Sequence, residues 1–221
     1  MLKVCTLFKR KHGLTVDEYQ SYWGAEHPNF VRRLPAIQGY TQNRPLPETF
    51  ATEDSPIYDG IVELLFPDSA ALKHLATTQE YQDLNKDEEQ FVDRSTIRLV
   101  LTDERVLKDG QREPHRQIKR ISFFKRAKGM TPEEFQCRWC GEYGPAVAAS
   151  PAAQRYAQSV PRLGGYQNGK EPEWDGIDMC WFATLAEARM DDAARQLEGL
   201  LASSKPGRLF ARENIVIAPA S

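Results

Sequence analysis

The sequence places one histidine where it could carry acid–base chemistry. His27 follows Trp23 by four residues, so both side chains share one face of a predicted helix, and that face points toward the sheet. Pro28 limits continuation of this helix and puts His27 near a bend. An imidazole there can exchange protons at neutral pH. A histidine at this position can also simply cap or support the helix, and the sequence leaves that alternative open.

Two cysteines form a C-x-x-C pair, Cys137 and Cys140, within a chain of 221 residues that holds four cysteines. We predict that this pair lies in the middle of a helix, where the helix dipole does not lower the pKa of a thiol. No second pair of Cys or His nearby completes a zinc site. We therefore expect neither a metal site nor a catalytic disulfide.

Two arginines occupy equivalent places after predicted first strands. Arg10 and Arg126 could clamp a carboxylate or phenolate, or could form ion pairs with Glu26 and Glu142. The sequence contains no glycine-rich phosphate loop, no H-E-x-x-H and no nucleophile elbow. These absences direct attention to chemistry without a metal or cofactor.

Composition narrows the class of protein. Hydrophobic residues make up 41% of the chain, enough for a sizeable core, and the net charge of -2 argues against a dedicated nucleic-acid binder. No apolar run reaches the roughly 18 residues of a membrane span, and the first residues do not read as a signal peptide. We therefore expect a cytoplasmic protein with no nucleic-acid or membrane partner.

The chain repeats itself. At an offset of 116 residues, Phe8 matches Phe124, Trp23 matches Trp139 and the segment 58–61 matches 174–177. Between these blocks we align 38–40 with 164–166, which requires an insertion near 152–160 in the second copy. The polar stretch 108–116 reads as a linker. We predict two repeats, 1–107 and 117–221.

Each copy shows the same order of predicted elements, β-α-β-β-α-β, which is the ferredoxin-like unit. The first helices begin at capping boxes, 15–18 and 131–134. The second helices are predicted over about 69–84 and 185–202, and the last strands over 96–101 and 214–218. Because such a sheet has helices on one face, the bare faces of two copies can pack together. We expect an α+β protein with an intramolecular barrel, to which a homodimer of whole chains could be added.

Three motifs carry a resemblance to a known family. They are LFKRKHGLTVDE at 7–18, Y-W-x-x-x-H-x-x-x-V at 22–31 and L-P-x-x-x-x-Y at 34–40. This pattern resembles the EthD-like family of dimeric α+β barrels, and the second copy resembles it as well. The family is similar to methylmuconolactone methylisomerases, whose pocket histidine and tyrosine match His27 and Tyr40 here. It is more distantly similar to cofactor-free monooxygenases, polyketide cyclases and haem-binding barrels.

This resemblance implies a proton-transfer enzyme. His27 would act as general acid/base, and Tyr40 would donate a hydrogen bond to a substrate oxygen, without metal or cofactor. The substrate would be a small cyclic, aromatic or lactone-like compound, with isomerase, lyase or dehydratase outcomes left open. The remaining residues expected to contact substrate are Trp23, Arg10, Phe66, Tyr143, Tyr166 and Trp139.

The second copy departs from this pattern because Tyr143 stands where His27 would be. A tyrosine, with an ordinary pKa near 10, is a poor base at neutral pH. We therefore expect the chemistry in the N-terminal half, with the alternative that both halves have active pockets. A cofactor-free monooxygenase acting on a phenolic or anthrone-like substrate, and a non-catalytic binding protein, are the alternative functions.

Overall fold

The computed structural model describes residues 1–190, 193, 197–202 and 206–219. The N-terminal half contains β1 (Leu2–Arg10), α1 (Val16–Ala25), α2 (Pro28–Val31), β2 (Gly39–Pro45), β3 (Gly60–Phe66), α3 (Ser69–Leu75), α4 (Gln79–Glu88) and β4 (Val92–Lys108). The C-terminal half contains β5 (Ile118–Phe124), α5 (Pro132–Arg138), a π-helical turn (Trp139–Tyr143), α6 (Gly144–Ala148), β6 (Arg155–Pro161), β7 (Gly176–Phe182), α7 (Leu185–Arg189) and β8 (Gly207–Ile217).

The eight strands close into one barrel in the order β1-β3-β2-β8-β5-β7-β6-β4. Within each half the strands pair antiparallel, and the halves are joined where β2 pairs with β8 and β4 pairs with β6. Strand β4 is 17 residues long because its first part pairs with β1 and its last part pairs with β6. The predicted fold, two ferredoxin-like units forming an intramolecular barrel, is confirmed.

The predicted capping boxes begin the first helix of each half. The Thr15 hydroxyl accepts a hydrogen bond from the backbone N–H of Glu18, and the Glu18 carboxylate accepts one from the Thr15 N–H. The same reciprocal pair forms between Thr131 and Glu134. Both boxes satisfy N–H groups that the first helical turn leaves without partners.

The predicted alignment of 38–40 with 164–166, and the insertion that it required, are wrong. Strand β6 is Arg155–Pro161, so the segment 152–160 is not an insertion but contains most of this strand. The offset of 116 therefore holds for the first three strands of each half, and Tyr156, not Tyr166, is the counterpart of Tyr40. The predicted alignment rests on the Gly-Tyr dipeptide that occurs at both 39–40 and 165–166. The Tyr-x-Gln pattern shared by 40–42 and 156–158 indicates the correct alignment.

Other boundaries also differ from prediction. The helix expected over 69–84 is two helices, α3 and α4, because the chain breaks at 76–78 and Thr78 caps a new helix. The helix expected over 185–202 begins with α7, Leu185–Arg189. Residues 191, 192 and 194–196 of that prediction lie outside the described residues. The last strands begin earlier than expected, at Val92 and Gly207.

Side chains alternate across the barrel wall. On β1, Cys5 and Leu7 point into a core inside the barrel that they share with Ile121 and Met179. The neighbouring side chains, Val4 and Phe8 among them, point outward to a second core beneath the helices of the N-terminal half. A third core lies beneath the helices of the C-terminal half. The outward-facing surface of each sheet is therefore where a site between sheet and helices can form.

Four buried charges join the halves inside the barrel. Lys3 Nζ lies 2.6 Å from Glu63 Oε2, and Lys119 Nζ contacts Glu63 and lies 2.9 Å from Glu213 Oε1. Burial alone would lower the pKa of Lys3, but the carboxylates of Glu63 and Glu104 outweigh it and raise that pKa. Burial alone would raise the pKa of Glu63, but Lys119 and Lys3 lower it well below its usual range. The network stays charged and holds the two sheets in register.

Candidate active site

A cavity of about 420 Å³ lies in the N-terminal half between the outward face of the sheet and helices α1, α3 and α4. Its walls are mostly apolar, and Trp23 and Phe66, two of the predicted contact residues, lie in them. His27 and Tyr40 line the same cavity. This volume falls within the range of sites for small organic ligands.

His27 sits at the junction of α1 and α2. The backbone N–H groups of Glu26 and His27 both donate to the Tyr22 carbonyl, and Pro28 then begins α2. The His27 side chain is buried, with 3% of the residue exposed. Its Nδ1 lies 2.6 Å from Asp87 Oδ2, and its Nε2 lies 3.0 Å from the Tyr40 hydroxyl oxygen.

Asp87 is the member of this set that sequence reasoning missed. It lies on α4, sixty residues after His27, and is 4% exposed. It also accepts a hydrogen bond of 2.7 Å from the Tyr22 hydroxyl. No local motif marks it, since Asp87 reaches His27 only through the packing of α4 on α2. The helix predicted over 69–84 ends before Asp87, whereas in the structure Asp87 lies on the buried side of α4, three residues after Leu84.

These contacts assign the protons. The Asp87 carboxylate accepts from His27 Nδ1–H, which leaves Nε2 as the acceptor in the neutral ring. Burial raises the pKa of Tyr40 well above its usual value, so its hydroxyl keeps its proton and donates to Nε2. In this arrangement the Asp87 carboxylate orients the His27 imidazole, and the unprotonated Nε2 of that ring faces the Tyr40 hydroxyl at the cavity wall.

A second acidic side chain, Glu88, lines the cavity one residue after Asp87. Arg94 Nη1 lies 2.8 Å from Glu88 Oε2 and donates to the Asn85 carbonyl at the same distance. Burial raises the pKa of Glu88 to about 7, although the Arg94 guanidinium counteracts it. The polar part of the cavity wall therefore holds a carboxyl that titrates near neutral pH.

Arg10 lies elsewhere, and the prediction that it contacts substrate is not supported by its position. Its guanidinium lies 2.5 Å from Asp59 Oδ1, donates to the Leu14 carbonyl and stacks on the Phe50 ring. The ion pair expected with Glu26 is formed with Asp59 instead, and Arg126 contacts Asp175 in the same way. These arginines tie the end of the first strand to the start of the third.

Among the described residues of the C-terminal half, the pocket beside Arg120 and Phe182, the counterparts of Val4 and Phe66, has a volume of about 10 Å³. Tyr143 and Trp139 are fully buried in the core of that half, and Tyr156 donates a hydrogen bond of 3.1 Å to Asp178 Oδ2. Tyr166 lies on the loop helix Leu163–Gly169 and donates to Asp175. The predicted contact residues of this half therefore do not line the large cavity.

The C-x-x-C pair is split between two elements. Cys137 is exposed on α5, whereas Cys140 is buried in the π-helical turn, and neither is in a disulfide. Within the described part of the chain, no group of three His, Cys, Asp or Glu side chains is arranged to hold a metal ion. In the same residues, no helix is long and apolar enough to cross a membrane.

Comparison with known proteins agrees with this architecture. The EthD domain family model matches residues 11–95. No curated protein matches the sequence. Three solved structures align along the whole chain, and at these identities the likeness establishes the fold alone.

The first is an anthrone oxidase-like protein, with a TM-score of 0.65, 13% identity and 96% of that chain covered. A candidate monooxygenase of Fusobacterium nucleatum has a TM-score of 0.61, 12% identity and 95% coverage. A candidate monooxygenase of Lactobacillus acidophilus has a TM-score of 0.56, 9% identity and 97% coverage. All three cover 100% of this chain, so its two-half barrel is a recurring architecture.

Proposed function

We propose that this chain, which carries an EthD domain in its N-terminal half, is an enzyme that moves a proton on a cyclic, aromatic or lactone-like organic substrate. The observation that supports this proposal is the hydrogen-bonded set Asp87–His27–Tyr40 at the wall of an apolar cavity. A carboxylate-oriented imidazole is suited to general acid–base catalysis, and a buried phenol is suited to donate to a developing oxyanion.

In the proposed mechanism, His27 Nε2 removes a proton from a C–H next to a carbonyl, or from a phenol. The Tyr40 hydroxyl, which donates to Nε2 in the free protein, turns its hydrogen toward the substrate oxygen as negative charge builds there. Asp87 stabilises the imidazolium that forms and keeps its orientation. Return of the proton to another atom gives an isomerase, and loss of a leaving group gives a lyase or dehydratase.

A cofactor-free monooxygenase is the second candidate, favoured by the names of the whole-chain structural neighbours. Here the same deprotonation makes an electron-rich carbanion, which reduces O₂ and combines with it. One oxygen atom would remain on the substrate and the other would leave as water. Both candidates share removal of the proton as their first step, and they differ only in the fate of the carbanion.

Deuterium exchange tests removal of the proton directly and does not require that the product be known. Anthrone, substituted phenols and unsaturated lactones are incubated with the protein in D₂O, and ¹H NMR follows loss of the acidic C–H. An oxygen electrode run in parallel separates the monooxygenase from the other outcomes. We expect exchange that His27→Ala slows by about 10²–10⁴-fold.

His74→Ala is the matched control, because His74 is exposed on α3 and does not line the cavity. The His74→Ala variant should exchange the substrate C–H for deuterium at the wild-type rate. Binding without exchange or oxygen uptake would identify a binding protein. Exchange by His27→Ala at the wild-type rate would exclude His27 as the base.

A further inference from the structure

The cavity floor is a row of side chains that runs across four strands. Tyr40 on β2 lies opposite Leu64 on β3, Leu64 lies opposite Val4 on β1, and Val4 lies opposite Leu101 on β4. All four line the cavity. Because neighbouring strands are about 4.8 Å apart, this row extends about 14 Å from Tyr40 to Leu101. The floor is longer than a single aromatic ring needs.

The two ends of this floor differ in character. At one end, His27 and Tyr40 are 3% and 4% exposed and present a ring nitrogen and a hydroxyl group. At the other end, Leu99 and Leu101 are 56% and 39% exposed although both line the cavity. Helix α3 covers the floor with Leu72. The cavity therefore runs from a buried polar corner to an open apolar lip, which we define as Leu99 and Leu101.

In the C-terminal half the equivalent row is built from different side chains. The equivalent row is Tyr156, Cys180, Arg120 and Phe210. Arg120 takes the place of Val4 and occupies the space with its guanidinium, which donates to the Ala188 and Met190 carbonyls. Phe210 takes the place of Leu101 and is 2% exposed. An open apolar row is thus a feature of the N-terminal copy and not a requirement of the fold.

We propose that the N-terminal cavity takes an elongated substrate with one hydroxyl- or carbonyl-bearing ring at His27 and Tyr40 and an apolar body that reaches the lip. The body would be a further fused ring system or a medium-length alkyl chain. Its contact with Leu99 and Leu101 removes apolar surface from water that the free protein leaves exposed. The place of the ring rests on the proposed function, whereas the length of the body rests on the sheet register and exposure alone.

A series of 4-alkylphenols, from phenol through 4-ethyl-, 4-butyl- and 4-hexyl- to 4-octylphenol, tests this by isothermal titration calorimetry below the micelle concentration. Each added methylene group should tighten binding by up to about fourfold while it remains within the row. 4-Octylanisole, which cannot donate a proton, should bind more weakly than 4-octylphenol. Affinity that peaks at phenol or 4-ethylphenol and falls for longer chains would overturn the proposal.

The double variant Leu99→Ser with Leu101→Ser examines the lip directly, since both side chains are exposed and the fold should tolerate the change. It should weaken 4-octylphenol binding by about tenfold and leave phenol binding unchanged. Val106→Ser is the matched control, because Val106 is 43% exposed on the same strand outside the cavity. Equal loss in control and lip variant, or no loss in either, would contradict the assignment.

The two proposals fail separately. If His27→Ala exchanges deuterium normally while the alkylphenol series behaves as expected, the proton-transfer mechanism is wrong and the elongated ligand stands. If exchange depends on His27 but affinity does not rise with chain length, the catalytic assignment stands and the elongated substrate is excluded.

Discussion

The first three strands of the two halves repeat at an offset of 116 residues, yet the N-terminal half encloses about 420 Å³, whereas among the described residues the pocket beside Arg120 and Phe182 in the C-terminal half holds about 10 Å³. Side chains differ at two positions on the outward face of the sheet and at one position after the first helix. Val4 corresponds to Arg120, Val62 to Asp178 and His27 to Tyr143. The same strand framework thus carries different side chains on its outward face in the two halves.

The C-terminal copy carries buried polar groups on the outward face of its sheet. Asp178 and Arg120 are 0% and 3% exposed. Burial raises the pKa of Asp178, and the Arg120 charge and the hydroxyls of Ser122 and Tyr156 counteract that rise. Buried polar groups are costly unless they are paired, so this cluster must stay intact for the C-terminal half to fold. The comparison predicts that mutations in the N-terminal half affect activity and mutations in the C-terminal half affect stability.

The substitution His27→Ala should have the largest effect, a loss of turnover. We expect about 10²–10⁴-fold loss in the rate of deuterium exchange with normal folding, because the general base is removed. Tyr143→Phe, the change at the equivalent position, should leave the rate within a few-fold. Rates by NMR and folding by circular dichroism check both. If Tyr143→Phe were the inactive variant, the roles of the halves would be reversed.

Asp178→Ala should give the next largest effect, a loss of about 1–3 kcal/mol in the free energy of unfolding, because it leaves the buried Tyr156 hydroxyl without its acceptor and removes a carboxyl group that interacts with Arg120. The double variant Arg120→Val with Asp178→Val places the N-terminal residue types at both positions and should recover part of that loss. Urea unfolding measures all three proteins. A double variant less stable than Asp178→Ala would show that the charges are not coupled.

Tyr40→Phe should reduce the exchange rate by about 10–100-fold, the value of one hydrogen bond to a charged oxygen. Tyr156→Phe removes the counterpart hydroxyl, which bonds to Asp178. It should keep the wild-type rate and cost about 1–2 kcal/mol of unfolding free energy. Loss of activity in Tyr156→Phe with retained stability would mean that the second half takes part in chemistry.

The smallest effect concerns the pH dependence of stability. The unfolded chain releases the Glu88 proton near the ordinary pKa of 4.5, whereas burial holds it in the folded protein to about 7. The folded state therefore binds more protons between these values, and this carboxyl destabilises the protein as pH rises from about 4.5 to 7. Glu88→Gln should remove that decline, a difference on the order of 1–3 kcal/mol between pH 4 and pH 8.

Urea unfolding at both pH values measures this difference. Glu89→Gln is the control, since Glu89 is exposed at the end of the same helix. Equal pH dependence in the wild type and Glu88→Gln would place Glu88 in water, outside the buried wall of the cavity.

Much of the fold could be predicted from the sequence because its signals are local and occur twice. The capping boxes at Thr15 and Thr131 satisfy backbone groups within one helical turn, and the first three strands of each half repeat at one offset. The error at Tyr166 arose where a short dipeptide match outweighed the spacing. Tyr156 and Gln158 match Tyr40 and Gln42 at the offset of 116. Gln42 donates to the Trp23 carbonyl, and Gln158 donates to the Trp139 carbonyl.

The sequence by itself therefore determined the duplicated ferredoxin-like plan and the candidacy of His27 and Tyr40. Only the tertiary structure decided that Asp87 orients His27, that Arg10 pairs with Asp59, and that the two copies differ in free space. The physical reason is distance along the chain. Capping and strand alternation depend on residues a few positions apart, whereas an ion pair or a cavity depends on side chains that packing alone brings together.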